Sequence, residues 1–154
     1  MTGPRDLLDA LPGVWAGDGE GHHPGIEPFG YRERLSFTRL GDKPIIGYGQ
    51  RTTHATSGAA LHTECGYLRV DGSHVELMVA QPTGFVEVHH ATVVDDALAF
   101  GSTVLGRSAT ALRVQSVRRR WEVDGDRLTI DLWMSYARAV DEHHLHSVLW
   151  REEG

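Results

Sequence analysis

Residues 128–134 carry the clearest alternation of hydrophobic and polar positions in the chain. Apolar side chains recur there at every second position, at Leu128, Ile130, Leu132 and Met134. That period is typical of a β-strand with one buried face. The pattern predicts a strand in this segment, with Met134 pointing into the core.

Nine other segments show similar short runs of apolar and β-branched residues. The gaps between them are rich in glycine and aspartate, as in Asp71-Gly72 and Asp124-Gly125-Asp126. Glycine adopts positive φ and aspartate bonds its own backbone, so most neighbouring strands should be joined by hairpins. The ten predicted strands lie near residues 13–20, 30–38, 44–53, 60–70, 74–81, 85–93, 96–105, 111–123, 126–138 and 141–151.

Helical periodicity is limited to one segment, from Leu7 to Leu11, which ends at Pro12 and Gly13. Ten hairpin-connected strands without crossover helices favour an all-β fold with a short N-terminal helix. The specific prediction is an antiparallel up-and-down β-barrel, similar in architecture to lipocalins and fatty-acid-binding proteins, because closure removes exposed edges. A two-sheet sandwich is the alternative. We expect one domain over residues 1–154, and a barrel of this size should enclose a ligand cavity.

The charge balance bears on the class of partner, and the single cysteine bears on the cellular compartment in which the protein acts. Lys and Arg total 15 against 21 Asp and Glu, a formal charge of −6, which argues against nucleic acid or an anionic membrane as partner. Cys65 is the only cysteine, so no intramolecular disulfide is possible. With no secretory signal and no 18-residue apolar run in the sequence, we expect a cytoplasmic protein.

Glycine alternates with other residues near the start of the chain. The motif consists of Gly13, Trp15, Gly17, Gly19 and Gly21. Glycine at every second position removes side chains from one face of a strand, so another chain can approach closely or Trp15 can pack beneath it. A phosphate-binding loop is rejected, because it needs a following helix and a Lys-Ser/Thr pair that the segment lacks.

Ten histidines raise the question of a metal site. They cluster at His22-His23, His89-His90 and between His143 and His146. Strict strand alternation would place His144 and His146 on one face and His143 on the other. One cysteine does not supply the thiolates typical of a structural zinc site, so a solvated or hydrogen-bonded side chain is the default for each histidine.

Other catalytic patterns are weak. No Gly-x-Ser-x-Gly elbow occurs, and Asp and Glu fall mainly in segments predicted to be turns or solvent-facing. A strand would divide the basic run Arg118-Arg119-Arg120 between two faces, so solvated charge is the default there.

Four stretches form a set of motifs that together span residues 11–151. They are the Gly-x-Trp-x-Gly-x-Gly-x-Gly pattern followed by Ile26–Tyr31, the His-x-Glu-x-Gly-Tyr segment within Leu61–Arg69, the Gln-x-Thr-Gly-x-Val-Glu segment within Ala80–Val88, and His144-Leu145. In these motifs and their spacing the chain resembles the nitrobindins, a family of small ferric haem-b β-barrels.

The resemblance implies one haem b per chain, with His144 as the proximal axial ligand of the iron. Neutral imidazole suits that role. By the same matching, His62 and Leu61 would lie on the distal side, and Met134 would pack against the macrocycle. Arg113 would stand where the family has a lysine near the haem. No catalytic residue beyond the haem iron is implied.

The sequence departs from the family pattern in one region. His23 and Gly25 replace the family's Tyr and Thr, and Gly30 replaces its Arg. The missing phenol, hydroxyl and guanidinium predict altered haem affinity or orientation, and His22 or His23 is a candidate extra ligand.

The function implied by the resemblance is reversible binding of nitric oxide and isomerisation of peroxynitrite to nitrate, and a homodimer is expected. One alternative is a haem-free barrel that binds a small hydrophobic ligand such as a fatty acid. Another is an interaction protein whose barrel only offers a dimer surface and holds no cavity.

Overall fold

A computed structural model describes residues 3–154, so the first two residues of the predicted domain lie outside the described part. A 3-10 turn at Pro4–Asp6 leads into helix α1 at Leu7–Ala10. The strands are β1 (Gly13–His23), β2 (Ile26–Arg39), β3 (Ile45–His54), β4 (Ala60–Asp71), β5 (His74–Ala80), β6 (Phe85–Val94), β7 (Ala97–Arg107), β8 (Val114–Asp124), β9 (Arg127–Tyr136) and β10 (Ala139–Arg151).

Each strand pairs antiparallel with the next, and β1 also pairs with β10, so the sheet closes into a ten-stranded barrel. The predicted barrel and N-terminal helix are confirmed, and the sandwich alternative is wrong. Within residues 3–154, no helix has the length and apolar character to cross a membrane.

The strand boundaries differ most from the prediction in two regions, the β1–β2 hairpin and the start of β8. Both strands of the β1–β2 hairpin extend further than expected, so the connecting turn consists of Pro24 and Gly25. Gly25 has a φ of +79°. Strand β8 begins at Val114 rather than near residue 111, because the preceding segment is held as a turn. There the amide of Ser108 donates to the carbonyl of Gly84 at 2.7 Å. This 108–113 loop lies at one end of the barrel.

The other end of the barrel is closed by α1 and a large apolar core. Trp15 is fully buried, and its indole Nε1–H donates to the carbonyl of Leu11 at 2.9 Å. The Arg151 guanidinium stacks 4.1 Å from the Trp15 ring centroid and donates to the carbonyls of Ala10 and Pro12 at 2.6 Å each. These contacts fasten the helix to the first and last strands.

The glycine motif makes room for close neighbours along β1. A Cβ at Gly17 would lie 2.1 Å from the carbonyl oxygen of Val148 on β10. At Gly19 and Gly21 it would lie 2.3 and 2.4 Å from ring carbons of Tyr31 and Phe29 on β2. The close approach expected from the glycine spacing is therefore present, and two aromatic rings lie over β1 where its side chains are missing.

Candidate functional site

A cavity of about 360 Å³ lies inside the end of the barrel opposite α1. Its wall is largely apolar and includes Phe85, Leu132 and Met134. Leu61 and Leu112 contribute to the same wall and are solvent-exposed, so the cavity opens at this end. Its size lies in the range of about 300–1,000 Å³ that is typical of small-molecule sites.

His144 lines this cavity from β10. Its Nδ1–H donates to the backbone carbonyl of His22 at 2.6 Å, which leaves the lone pair on Nε2. Partial burial lowers the pKa of the His144 imidazole, so the ring is neutral at neutral pH. A neutral imidazole with a fixed orientation at the wall of a cavity is a competent metal ligand.

A β-bulge in β10 decides which histidines face the cavity. The pairing with β9 passes from His143 to Leu145 and skips His144. The extra residue shifts the alternation by one, so His144 and Leu145 both line the cavity while His146 is exposed on the outer face. The expectation that His146 shares the face of His144 is wrong for this reason, whereas His143 does face away.

His62 lines the same cavity from β4 and is anchored to a buried carboxylate. Its Nε2–H donates to Glu64 Oε2 at 3.3 Å. Glu64 in turn accepts from the Tyr48 hydroxyl at 2.6 Å and from Arg119 Nη1 at 2.5 Å. The ring of His62 is therefore oriented by a chain of hydrogen bonds that continues into the barrel.

A buried ionic network forms the polar layer between the cavity and the apolar core. Arg119 lies between Glu64 and Glu87, with Nη2 donating to Glu87 Oε2 at 2.9 Å. His89 donates to the other oxygen of Glu87 at 2.9 Å. Burial acts to raise the pKa of both carboxyls, but the charge of Arg119 and the hydrogen bonds outweigh it and hold both pKa values below the ordinary range. Both carboxylates are therefore ionised at neutral pH.

Glu33, a further buried carboxyl in the cavity wall, behaves in the opposite way. It accepts from the Ser147 hydroxyl at 2.6 Å and from Gln50 Nε2 at 3.3 Å. Burial raises the pKa of Glu33, because these hydrogen bonds lower it by less than desolvation raises it. The same layer thus combines two ionised carboxylates with one that is shifted toward its neutral form.

The structure brings four of the five predicted cofactor residues to one cavity. They are Leu61, His62, Met134 and His144. Arg113 is exposed in the 108–113 loop and is not among the residues of the described chain that line the cavity, although its neighbour Leu112 is.

The region that departs from the family pattern lies beside His144. The ring of His23 is 5.9 Å from the ring of His144 and 5.4 Å from that of Tyr136, measured between centroids. His22 supplies its backbone carbonyl to His144, while its own ring lies 3.8 Å from Glu20. Of the two candidate extra ligands, His23 therefore has its ring next to the site.

The buried ionic network was not predicted from the sequence. The prediction of solvated charge is wrong for Arg119, which is 4% exposed. The expectation that acidic residues lie mainly in turns or on the surface is likewise wrong for three carboxylates, Glu33, Glu64 and Glu87. The alternation along β8 could have indicated that Arg119 is buried, because Arg119 lies on the same strand face as Val117 and Trp121, both of which are buried.

Comparison with known proteins gives a consistent result. The family model of the THAP4-like, heme-binding beta-barrel domain matches residues 6–151. "Peroxynitrite isomerase 1" of Rhodococcus jostii is 44% identical over 146 residues, which cover 94% of this chain and 82% of that protein. "Peroxynitrite isomerase" of Nocardia farcinica is 41% identical over 150 residues, which cover 94% of this chain and 89% of that protein.

A solved structure agrees with these relatives. The crystal structure of Rv2717c from M. tuberculosis matches with a TM-score of 0.85 at 35% sequence identity, covering 97% of this chain and 98% of that one. The family model spans all ten strands, and the nitrobindin resemblance is confirmed. The chain belongs to the family of THAP4-like, heme-binding beta-barrel proteins.

Proposed function

We propose that this protein binds one haem b in the cavity at the open end of the barrel and isomerises peroxynitrite to nitrate. The observation that carries the proposal is the orientation of His144. Its Nδ1 proton is engaged by the His22 carbonyl at 2.6 Å, and its other nitrogen is available at the wall of an apolar cavity. The names of the relatives from Rhodococcus jostii and Nocardia farcinica support the reaction.

The residues of the cavity fit a haem. A flat, largely apolar macrocycle needs apolar walls, which Leu132, Met134 and Leu145 supply on the side of His144. It also needs an open edge for its carboxylates, which the exposed rim provides. His144 would hold the haem through its imidazole, and Leu61 and His62 would line the cavity around it.

Bound haem would supply a Lewis-acidic iron, and the chemistry at the iron would be the cofactor's own. Peroxynitrite and nitrate are isomers, so the overall reaction consumes neither an external electron nor a proton. The protein's part is to offer the Nε2 lone pair of His144 and to keep the Nδ1–H of that ring hydrogen-bonded to the backbone carbonyl of His22. His62 would hold a proton at Nε2 toward Glu64, and the apolar part of the wall would limit the water around the reacting species.

We further propose that the same site binds nitric oxide and that the protein acts in the cytoplasm. The free thiol of the exposed Cys65 suits a reducing compartment. A homodimer stays a prediction. The cavity gives no support to the fatty-acid alternative, because Arg119, the buried cation that lines it, is already paired with Glu64 and Glu87.

The test is an absorption spectrum and a peroxynitrite assay on the full chain expressed with haem supplied. A Soret band with one haem per chain is expected, together with faster peroxynitrite decay and a higher nitrate yield than in buffer. A colourless protein after haem reconstitution would remove the proposal. A haem-loaded protein without effect on peroxynitrite would remove the reaction and leave haem binding.

A further inference from the structure

The β10 bulge that turns His144 inward also brings two other histidines together on the outside of the barrel. In an unbroken strand, His143 and His146 would face opposite sides, since they are three positions apart. The extra residue at the bulge places both on the outer face. Opposite them, Asp131 of β9 pairs in register with His146.

These three side chains converge on one point. Asp131 Oδ1 lies 2.8 Å from His143 Nε2 and 2.7 Å from His146 Nδ1. One ligand atom from each residue lies within 4.8 Å of the other two. Donor atoms around a tetrahedral zinc ion are about 3.3 Å apart, given bond lengths of roughly 2.0–2.1 Å. Small side-chain rotations would therefore bring the three donors to coordination distance.

The surroundings favour an ordered site with access from solvent. The ring of His143 stacks on Trp133 at a centroid distance of 5.0 Å, which restricts its rotation. The side chain of Asp131 is 13% exposed, whereas those of His143 and His146 are 45% and 47% exposed. The carboxylate is thus held at the base of the cluster, and solvent can reach the remaining coordination positions.

The donor set selects the kind of ion. Two imidazole nitrogens and one carboxylate oxygen suit Zn²⁺ and neighbouring divalent transition metals, whereas Mg²⁺ and Ca²⁺ prefer oxygen donors alone. In the hydrogen-bonded arrangement both rings direct a nitrogen at the same oxygen. A divalent cation could take the place of the two ring protons that point at Asp131, and the three side chains would keep their positions. Each imidazole would then carry its proton on its other nitrogen.

We propose that Asp131, His143 and His146 form a binding site for one divalent transition-metal ion, with Zn²⁺ as the reference ion, on the outer face of the bulge whose inner face presents His144. The site is separate from the haem cavity and does not depend on the proposed reaction. Its three ligands leave at least one position for water or another donor.

The test is isothermal titration calorimetry with Zn²⁺. The sample is the full chain without a tag, loaded with haem and dialysed against a chelator. The parent carries Cys65→Ser, because an exposed thiol is a competing zinc ligand. One ion per chain is expected. His143→Ala and His146→Ala should each weaken binding by about tenfold or more, and Asp131→Asn should also weaken it.

His74→Ala is the matched control. His74 and His90 form another surface histidine pair, with ring centroids 5.6 Å apart on β5 and β6, and this variant should bind Zn²⁺ like the parent. The Soret band and circular dichroism report whether each variant keeps its haem and its fold. A parent that binds no Zn²⁺, or His143→Ala and His146→Ala variants that bind it as the parent does, would overturn the proposal.

Discussion

The two ends of the barrel are built from the same ten strands and differ in what fills them. At the α1 end, Trp121 packs against Phe37, Tyr48 and Phe100 at centroid distances of 4.8–5.5 Å, within a continuous buried cluster. At the other end, three of the described residues form a buried cluster, with partly buried neighbours around a cavity. Close packing of large side chains at the first end stabilises the fold, and the smaller number of buried side chains at the second end leaves a cavity.

The buried ionic network separates these ends. Removing an ion pair from water costs free energy that its Coulombic attraction only partly recovers, so such a layer is weak evidence of stabilisation. Here it has a visible structural consequence, because Glu64 connects Arg119 to His62 in the cavity. The layer therefore connects the packed end of the barrel to the open one.

The largest expected effect is at the open end. His144→Ala should lower haem affinity by more than about 100-fold, because even residues that only hydrogen-bond to a metal's ligands contribute about 10–100-fold. The barrel should remain folded by circular dichroism, since His144 is outside the apolar clusters. His146→Ala is the control and should keep the haem, as His146 lies on the outer face. Retention of haem in His144→Ala would refute the axial-ligand assignment.

At the closed end the expected effect is on stability. Trp121→Ala should lower the free energy of unfolding by about 3–5 kcal/mol, as measured by urea denaturation, because it empties a fully packed site. The control is Trp150→Ala, whose side chain is 58% exposed and whose loss should change stability little. If both variants lost the same free energy of unfolding, Trp121 would contribute no more to stability than an exposed tryptophan.

Gly17→Val tests the close approach of β10 to β1. Its Cβ would meet the Val148 carbonyl, and overpacking of this kind typically costs about 1–3 kcal/mol. Gly101→Val is the matched control on an exposed strand position with open space around it, so it should not lower stability. Thermal melts of the two variants give the comparison, and an unchanged melt for Gly17→Val would mean that the strands can separate without cost.

The ionic layer predicts a dependence of stability on acid. The folded pKa of Glu64 lies below its unfolded value, so its contribution is present above the unfolded pKa, near 4.5, and is lost as the pH falls through the folded pKa. In Glu64→Gln, the slope of the free energy of unfolding against pH should fall by about 1.4 kcal/mol per pH unit below pH 4, one proton's worth.

Denaturant titrations between pH 3 and pH 7 measure that slope. Glu152→Gln is the control, because this carboxylate lies at the surface. An identical slope in wild type and Glu64→Gln would show that Glu64 is not held ionised by Arg119.

The smallest effect is expected at His62. His62→Ala should leave the haem bound and change the rate of nitric oxide association within about tenfold, the scale of one hydrogen bond. Stopped-flow spectroscopy measures the rate, with His54→Ala as a control outside the cavity lining. An unchanged rate of nitric oxide association would mean that His62 hydrogen-bonds Glu64 and has no effect on the incoming ligand.

Strand positions and inward faces were determined by the sequence itself, because alternation and turn chemistry are local. The period-two pattern correctly placed Leu128, Ile130, Leu132 and Met134 on the inner face, and the hairpin turns implied the antiparallel order. The motif match with the nitrobindins then pointed to Leu61, His62 and His144, which the fold brings to one cavity.

Features that depend on pairing between strands became visible in the folded barrel and not in the sequence. The β10 bulge exists because one strand has an extra residue relative to its partner, and a single strand's alternation cannot reveal it. Arg119 is buried because Glu64 and Glu87, distant in sequence, reach it from two other strands and compensate its charge. Periodicity is a property of each strand alone, whereas register and charge pairing are fixed only when the barrel closes.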